Sequence, residues 1–112
     1  MWLLTTTGFY SIVEKPWDRP KGTLTIRTRV AEDLESLRLQ LPELGPTAED
    51  PEADYRFRAQ APRAAVANAM FRLAESLDYD NFKSAVADRQ GRGRAHLYHE
   101  VWEVLSQLSP RE

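Results

Sequence analysis

Arginine recurs at alternate positions in two separate segments of the chain. Arg27 and Arg29 belong to one segment, and Arg56 and Arg58 belong to the other. Alternate residues of a β-strand point to the same side, so each segment would present two guanidinium groups on one face. A guanidinium group is planar and forked, and it binds phosphates and carboxylates through paired hydrogen bonds. The four arginines therefore predict a contact surface, which is continuous if both segments pair with the first strand of a sheet.

Two interpretations of this surface stay open. In the first, the arginines contact a partner and a nearby ring such as Phe9 stacks a base, as in sheet proteins that bind single-stranded nucleic acid. In the second, the arginines lie on a solvated strand face and pair with the acids of residues 43 to 54, which could also form a lid over them. Each exposed ion pair would then contribute only about 0 to 1 kcal/mol.

A third group of arginines surrounds two glycines in the segment Arg89-Gln90-Gly91-Arg92-Gly93-Arg94. Glycine lets a backbone curl around an anion next to a helix N-terminus. The segment lacks the Lys-Ser/Thr of a nucleotide loop and follows no predicted strand, so an ordinary turn between helices is favoured. Arg89, Arg92 and Arg94 would add positive charge to the predicted contact surface if they lie near it.

Trp17 lies between two prolines in a turn-forming cluster, residues 16 to 22. A tryptophan in a stiff, polar loop is a frequent interface anchor, because a partner gains contact area there at little ordering cost. The alternative is that the ring packs back over the helices.

The remaining polar groups predict no catalytic residue, metal site or cofactor. His96 and His99 lie at helical spacing from Glu100 and Glu103 and are expected to form contacts between residues four apart. The order of an HExxH zinc motif is absent, and Asp78 and Asp80 are predicted to cap a helix. If the protein were instead a small enzyme or a ligand-binding protein, a set of polar groups would meet in a pocket between the sheet and the last two helices: Asp78, Asp80, His96, Tyr98 and His99.

Composition excludes several functional classes. The chain has 112 residues, a net charge of −2 and no cysteine, which excludes disulfides, thiolate metal sites and a cysteine nucleophile. Residues 32 to 54 carry eight acids and one base, so the rest of the chain has a net charge of +5. No apolar stretch is long enough to cross a bilayer, and the first residues do not resemble a signal peptide. We expect a cytoplasmic protein without a membrane partner.

The elements that must position these residues follow from the apolar periodicity. The fold class is predicted as α+β, with a three-stranded, mainly antiparallel sheet, helices on one face and the order β-β-α-β-α-α. The whole chain, 1–112, is predicted as one domain with a mobile acidic loop at about 42–53. The predicted strands are 2–14, with Gly8 as a bulge or a point of close approach, then 23–30 and 54–60. The predicted helices are 31–41, 62–77, a short helix that ends near Gly91, and 94–108.

Four strings carry a resemblance to a known family. They are Trp2-Leu3-Leu4-Thr5 with Gly8-Phe9, Ala53-Asp54-Tyr55-Arg56-Phe57-Arg58, Asp78-Tyr79-Asp80-Asn81-Phe82-Lys83 and Tyr98-His99-Glu100-Val101-Trp102. Together they resemble a family of small uncharacterised bacterial proteins across nearly the whole chain. The resemblance implies a single cytoplasmic domain and transfers no catalytic residue.

The residues favour a non-enzymatic binding or regulatory module with a macromolecular partner. A protein partner or self-association ranks slightly ahead of single-stranded nucleic acid, because the total charge is negative. The predicted contact residues are Trp17, Arg27, Arg29, Arg56, Arg58, Arg89, Arg92 and Arg94.

Overall fold

The protein has an α+β fold that divides into two compact units, Met1–Asp78 and Tyr79–Glu112. The computed structural model describes residues 1–110. The first unit contains five strands and two helices, and the second contains two helices.

The sheet of the first unit is antiparallel throughout, with the spatial order β1-β2-β3-β5-β4. Its strands are β1 (Trp2–Leu4), β2 (Phe9–Val13), β3 (Thr23–Thr28), β4 (Ala48–Glu49) and β5 (Phe57–Pro62). Helix α1 (Ala31–Arg38) follows β3, and helix α2 (Arg63–Glu75) follows β5. The predicted three-stranded sheet and its element order are therefore wrong, because two further strands are present.

The first additional strand arises from a turn at Thr5–Gly8. The predicted strand 2–14 breaks there, since Thr5 Oγ1 accepts hydrogen bonds from the backbone N–H groups of Thr7 and Gly8, at 3.1 and 3.0 Å. This local bonding satisfies the backbone in a turn and lets β2 fold back on β1. Gly8 is a point of close approach, as predicted, because an added Cβ would lie 2.6 Å from the Tyr10 hydroxyl oxygen and 2.8 Å from Asp33 Cγ.

The second additional strand lies inside the predicted acidic loop. Residues 48–49 form β4 and pair with β5, and Gly45 N–H donates to the Gln60 carbonyl at 2.8 Å. Leu44 is buried in the core, and Arg38 donates to the carbonyls of Leu44 and Gly45, at 2.6 and 3.0 Å. The interpretation of 42–53 as a wholly solvated loop is wrong, because apolar burial and strand pairing anchor it. Its mobility stays a prediction.

The core lies between one face of the sheet and helices α1 and α2. The strands contribute alternate residues, among them Ile12, Ile26 and Ala59, which are direct neighbours across three strands. Leu34 and Leu37 of α1 and Val66 and Ala69 of α2 cover them. The alternation predicted for 23–30 is confirmed over 23–28, where the strand ends, and it is wrong for Val30, which is exposed at the start of α1. The opposite face carries the polar residues of the same strands.

The second unit is a pair of helices, α3 (Phe82–Gln90) and α4 (Arg92–Leu105). Asn81 caps α3 by accepting from Ser84 N–H at 2.9 Å, so the predicted caps, Asp78 and Asp80, are wrong. Gly91 has φ +94°, a left-handed conformation that glycine adopts without strain, and it ends α3.

Apolar residues at helical spacing, Tyr98, Val101, Trp102, Leu105 and Leu108, predict a stripe that buries the last helix, but most of it is exposed. Tyr98 is buried and its ring stacks on Phe82, with ring centroids 5.8 Å apart. The other members, Val101, Trp102, Leu105 and Leu108, are exposed, so their assignment to a core is wrong. A helical repeat of apolar residues cannot show whether a neighbouring element covers it. None of the helices in residues 1–110 combines the length and the hydropathy that a membrane span requires.

Candidate binding surface

Arg27 and Arg58 are direct neighbours on the sheet face that points away from α1 and α2. Strand β3 lies between β2 and β5, and the register pairs Arg27 with Ser11 on one side and with Arg58 on the other. The two arginine segments therefore pair with each other, and β5 does not pair with the first strand. Like charges directly opposite each other destabilise a sheet, so this pairing is a cost that the fold carries.

An aromatic ring underlies two of the guanidinium groups. Tyr55 is buried, and its ring centroid lies 4.6 Å from Arg27 Cζ and 4.5 Å from Arg29 Cζ. Both distances lie within the range of a cation–π contact. Strand β5 begins only at Phe57, so the predicted alternation does not extend to Tyr55. Alternation along the predicted strand 54–60 places Tyr55 on one face with Phe57 and Ala59, and this prediction is wrong for that reason.

Two more rings continue this surface toward the edge of the sheet. Phe9 lies 6.3 Å from Tyr55, and Trp2 lies 5.6 Å from Phe9 in an edge-on arrangement, measured between ring centroids. Trp2 is 67% exposed. We call the set Trp2, Phe9, Arg27, Arg29, Tyr55 and Arg58 the arginine surface.

The three arginines of this surface have no carboxylate partner within residues 1–110. Arg27 Nη2 donates to Ser11 Oγ at 2.6 Å, Arg29 to the backbone carbonyl of Asp54 at 2.8 Å, and Arg58 to that of Tyr55 at 3.0 Å. The Nε atoms of Arg27 and Arg58 are buried without a hydrogen-bond partner. Buried donors usually have an acceptor, so these two atoms require an explanation.

Other arginines of the same unit do have acidic partners. Arg19 and Arg63 both contact Glu14, and Arg38 contacts Glu35. Arg56 pairs with Glu49 at 2.6 Å and is exposed. Arg56 was predicted to share the contact face, but an acid of the segment 43–54 neutralises it. The solvated-face interpretation therefore holds for Arg56, whereas Arg27, Arg29 and Arg58 form no such pair with any acid among residues 1–110.

The opposite end of the same face contains a buried carboxylate, Asp18. Its oxygens accept hydrogen bonds from three side chains and one backbone group, at distances of 2.6 to 2.9 Å; the donors are Thr23 Oγ1, Thr25 Oγ1, Gln60 Nε2 and Lys15 N–H. Burial raises the pKa of Asp18, but these hydrogen bonds favour the charged carboxylate and lower the pKa below its usual 3.8. This site is complete within the chain, so it offers nothing to a ligand.

Trp17 lies beside this carboxylate site. Its indole N–H donates to Thr25 Oγ1 at 3.3 Å, and the ring is 46% exposed. The alternative that Trp17 packs over the helices is wrong, because Thr25 lies on the opposite face of the sheet. Its role as an interface anchor stays a prediction.

The remaining predicted arginines lie in the second unit. Arg89 is in the last turn of α3 and Arg92 is the first residue of α4, and both are exposed. Arg94 is half-buried and donates to the Tyr98 hydroxyl at 3.3 Å. The turn between helices that the glycines predict is confirmed.

The histidines form the predicted contacts along α4. His96 Nε2 lies 3.4 Å from Glu100 Oε1, and His99 Nε2 lies 3.0 Å from Glu103 Oε1. His99 Nδ1 also lies 2.9 Å from Lys83 Nζ. Within residues 1–110, no three His, Cys, Asp or Glu side chains are grouped in a way that could hold a metal ion.

Comparisons of the chain with protein-family models, curated proteins and solved structures find no match. The function must therefore be argued from the surface itself.

Sequence reasoning missed three members of the two polar sites. Tyr55 was placed on the wrong face, and Trp2 and Asp18 were not singled out. Trp2 lies three positions from Thr5, so an unbroken strand 2–14 would place it on the opposite face, and only the turn at Thr5–Gly8 brings it to this one. Asp18 had a weak signal, because it is an acid in a turn that is followed by Thr23 and Thr25 at alternate positions.

Proposed function

We propose that the protein is a non-enzymatic binding module whose arginine surface holds an anionic segment of a macromolecule. The observation that carries the proposal is the contrast among the arginines of the first unit. Arg27, Arg29 and Arg58 share one surface without an acidic partner in the described chain, whereas several of the others are paired.

An anion would add hydrogen bonds to the guanidinium groups of this surface. Hydrogen bonds between ionised groups are the strongest that proteins form. A phosphate or carboxylate between Arg27 and Arg58 would offer acceptors to both guanidinium groups and would relieve the repulsion between them. The stability that the fold loses at this pair would then be recovered on binding.

The stacking on Tyr55 favours binding over a purely structural role. The ring supports Arg27 and Arg29 from one side, so their guanidinium groups are positioned before a ligand arrives. Preorganised groups lose little conformational entropy on binding. The chain's net charge of −2 does not oppose the interaction, because charges farther than about 8 Å away are largely screened at physiological salt.

The test is a binding titration with three polyanions at about 50 mM salt, where phosphate contacts are strongest. The probes are a labelled oligouridine, inorganic polyphosphate and polyglutamate, followed by fluorescence anisotropy or by competition with the labelled probe. We expect at least one polyanion to bind, and its affinity to fall steeply as salt is added. Absence of binding by all three would overturn the proposal.

Matched arginine variants locate the site. Arg29→Met should weaken the interaction and lower the salt slope by about one contact, because Arg29 is exposed on the arginine surface. Arg19→Met is the control, since Arg19 is also exposed but pairs with Glu14 at 3.1 Å. Equal losses in the two variants would show that net charge alone drives binding and would contradict a site on this surface.

A further inference from the structure

The arginine surface is only partly basic, since half of its members are aromatic. Trp2, Phe9 and Tyr55 form an unbroken chain of ring contacts, and Arg27 and Arg29 complete it at the Tyr55 end. Polyanion binding by charge alone would need only the guanidinium groups. The rings therefore call for a ligand that has flat apolar groups next to its anionic ones.

We infer that the anionic segment is a single-stranded nucleic acid whose bases stack on Trp2 and Phe9 while its phosphates contact Arg27, Arg29 and Arg58. This inference rests on the proposed function and names the partner for the same surface. Every base has a flat face, so stacking on an aromatic side chain tolerates any sequence, and guanidinium groups supply the phosphate contacts. The aromatic rings and the arginines of this surface together indicate a ligand that has both bases and phosphates.

The sheet register sets the arrangement of these two halves. Trp2 pairs with Ser11, Ser11 with Arg27 and Arg27 with Arg58, so the four residues form one row across four strands. Neighbouring strands lie about 4.8 Å apart, so the row from Trp2 to Arg58 is about 14 Å long. A strand of nucleic acid that follows this row would meet the indole at one end and the paired guanidinium groups at the other.

Exposure separates the two ring positions that a base could reach. Trp2 is exposed and meets Phe9 only through an edge-on contact, so a face of the indole is open to a base. Phe9 is half-buried, and Tyr55 is buried beneath the arginines. Trp2 is therefore the main stacking residue, Phe9 extends it, and Tyr55 positions the guanidinium groups without contacting a base.

A duplex fits this surface poorly. Bases in a duplex are stacked on one another and their faces are not available to a side chain, so single strands are the form that exposes them. An acidic protein segment would satisfy the arginines but would leave Trp2 exposed. The two competing partners are therefore separated by the contribution that Trp2 makes to affinity.

The experiment compares ligands that carry the same phosphates with and without bases. We expect full-length protein to bind oligouridine about tenfold more tightly than polyphosphate at equal phosphate concentration, and more tightly than duplex RNA or polyglutamate. Trp2→Ala should remove this preference and leave the salt slope unchanged, whereas Trp2→Phe should keep most of it. Trp102→Ala is the control, since Trp102 is an exposed tryptophan outside the row.

The outcomes distinguish this inference from the proposed function. If polyphosphate and oligouridine bind equally and Trp2→Ala changes neither, the surface binds anions without reading bases, so the inference fails and the proposed function stands. The inference also fails if polyglutamate or duplex RNA binds most tightly. If no polyanion binds, both fail together. Tryptophan emission that oligouridine quenches in the wild type but not in Trp2→Ala, where Trp17 and Trp102 still emit, supports the inference.

Discussion

Charged side chains at the two ends of one sheet face differ in how completely they are hydrogen-bonded. At one end the Asp18 carboxylate is fully buried and accepts four hydrogen bonds from uncharged donors. At the other end Arg27 and Arg58 lie side by side, and the Nε of each is buried without an acceptor. Thr25 and Arg27 are only two residues apart on the same strand, yet the two charged sites do not form an ion pair.

The difference separates a structural charge from one that is available to a ligand. Asp18 ties the segment before β3 to β3 and β5, since its donors come from all three. The Asp18 carboxylate is already hydrogen-bonded within the chain, so it does not need a ligand as a further donor. The arginine pair contacts Tyr55, which precedes β5, but it also adds repulsion between like charges. Mutations at the Asp18 end should therefore cost more stability than mutations at the arginine pair.

The largest effect is expected for Asp18→Ala. Removing the carboxylate leaves the buried Thr25 hydroxyl and three part-buried donors without their acceptor, and a buried donor without an acceptor costs about 1 to 3 kcal/mol. We expect the free energy of unfolding, measured by urea denaturation, to fall by about 3 kcal/mol or more. Glu52→Ala, at an exposed acid of the same unit, is the control. If Asp18→Ala lowers the free energy of unfolding no more than Glu52→Ala does, Asp18 is not the structural charge described above.

Stability should also depend on pH through Asp18. Its pKa is below the usual 3.8 in the folded protein, because the hydrogen bonds to the carboxylate outweigh the effect of burial. The unfolded chain therefore takes up the proton first as the pH falls. The stabilising contribution is complete above the usual value and is lost as the pH drops through the lower folded value. The free energies of unfolding of the wild type and of Asp18→Asn should differ most near neutral pH. Plotted against pH, the two free energies should converge below about pH 4. A constant difference down to acid pH would contradict this.

A matched pair of hydroxyl deletions sharpens the comparison. Thr25 Oγ1 donates to the buried carboxylate, and Ser11 Oγ accepts from Arg27, and both residues are buried. Thr25→Val should cost about 1.5 to 3 kcal/mol, because it removes a hydrogen bond to a charged group. Ser11→Ala should cost less, about 0.5 to 1.5 kcal/mol, since Arg27 is only half-buried and water can replace the hydroxyl. Equal losses of stability in thermal melts would show that water replaces the missing hydroxyl no better at the arginine end than at the Asp18 end.

The smallest effect is expected for Arg27→Met. Methionine keeps the length and apolar stem of the side chain, removes an unpaired buried donor and ends the repulsion from Arg58, but it also removes the hydrogen bond to Ser11 and the contact with Tyr55. We expect these gains and losses nearly to cancel, so that the free energy of unfolding changes by less than about 1 kcal/mol in the absence of polyanion. Polyanion binding should weaken in the same variant. A clear loss of stability would assign the arginine pair to the fold rather than to a ligand.

Local patterns predicted the elements that depend on short-range rules. The β3 strand, the start of α1 at Ala31, the helix after Pro62 and the break near Gly91 lie close to their predicted places. The failures involve long-range contacts. Thr5 closes a turn that β-propensity alone does not predict, and β4 exists because it pairs with β5. The α4 stripe shows the same limit, because periodicity reports an apolar face but not what covers it.

The amino-acid sequence by itself determined which side chains alternate along β3 and β5, because the period of a strand is set by the backbone. It therefore placed Arg27 and Arg58 each on the polar side of its own strand, whichever strands are neighbours. Only the tertiary structure decided that β3 and β5 are adjacent, that Tyr55 turns under the arginines, and that Glu49 neutralises Arg56 alone. Those decisions depend on strand register and on where a strand begins, which are fixed by packing between residues far apart in the chain.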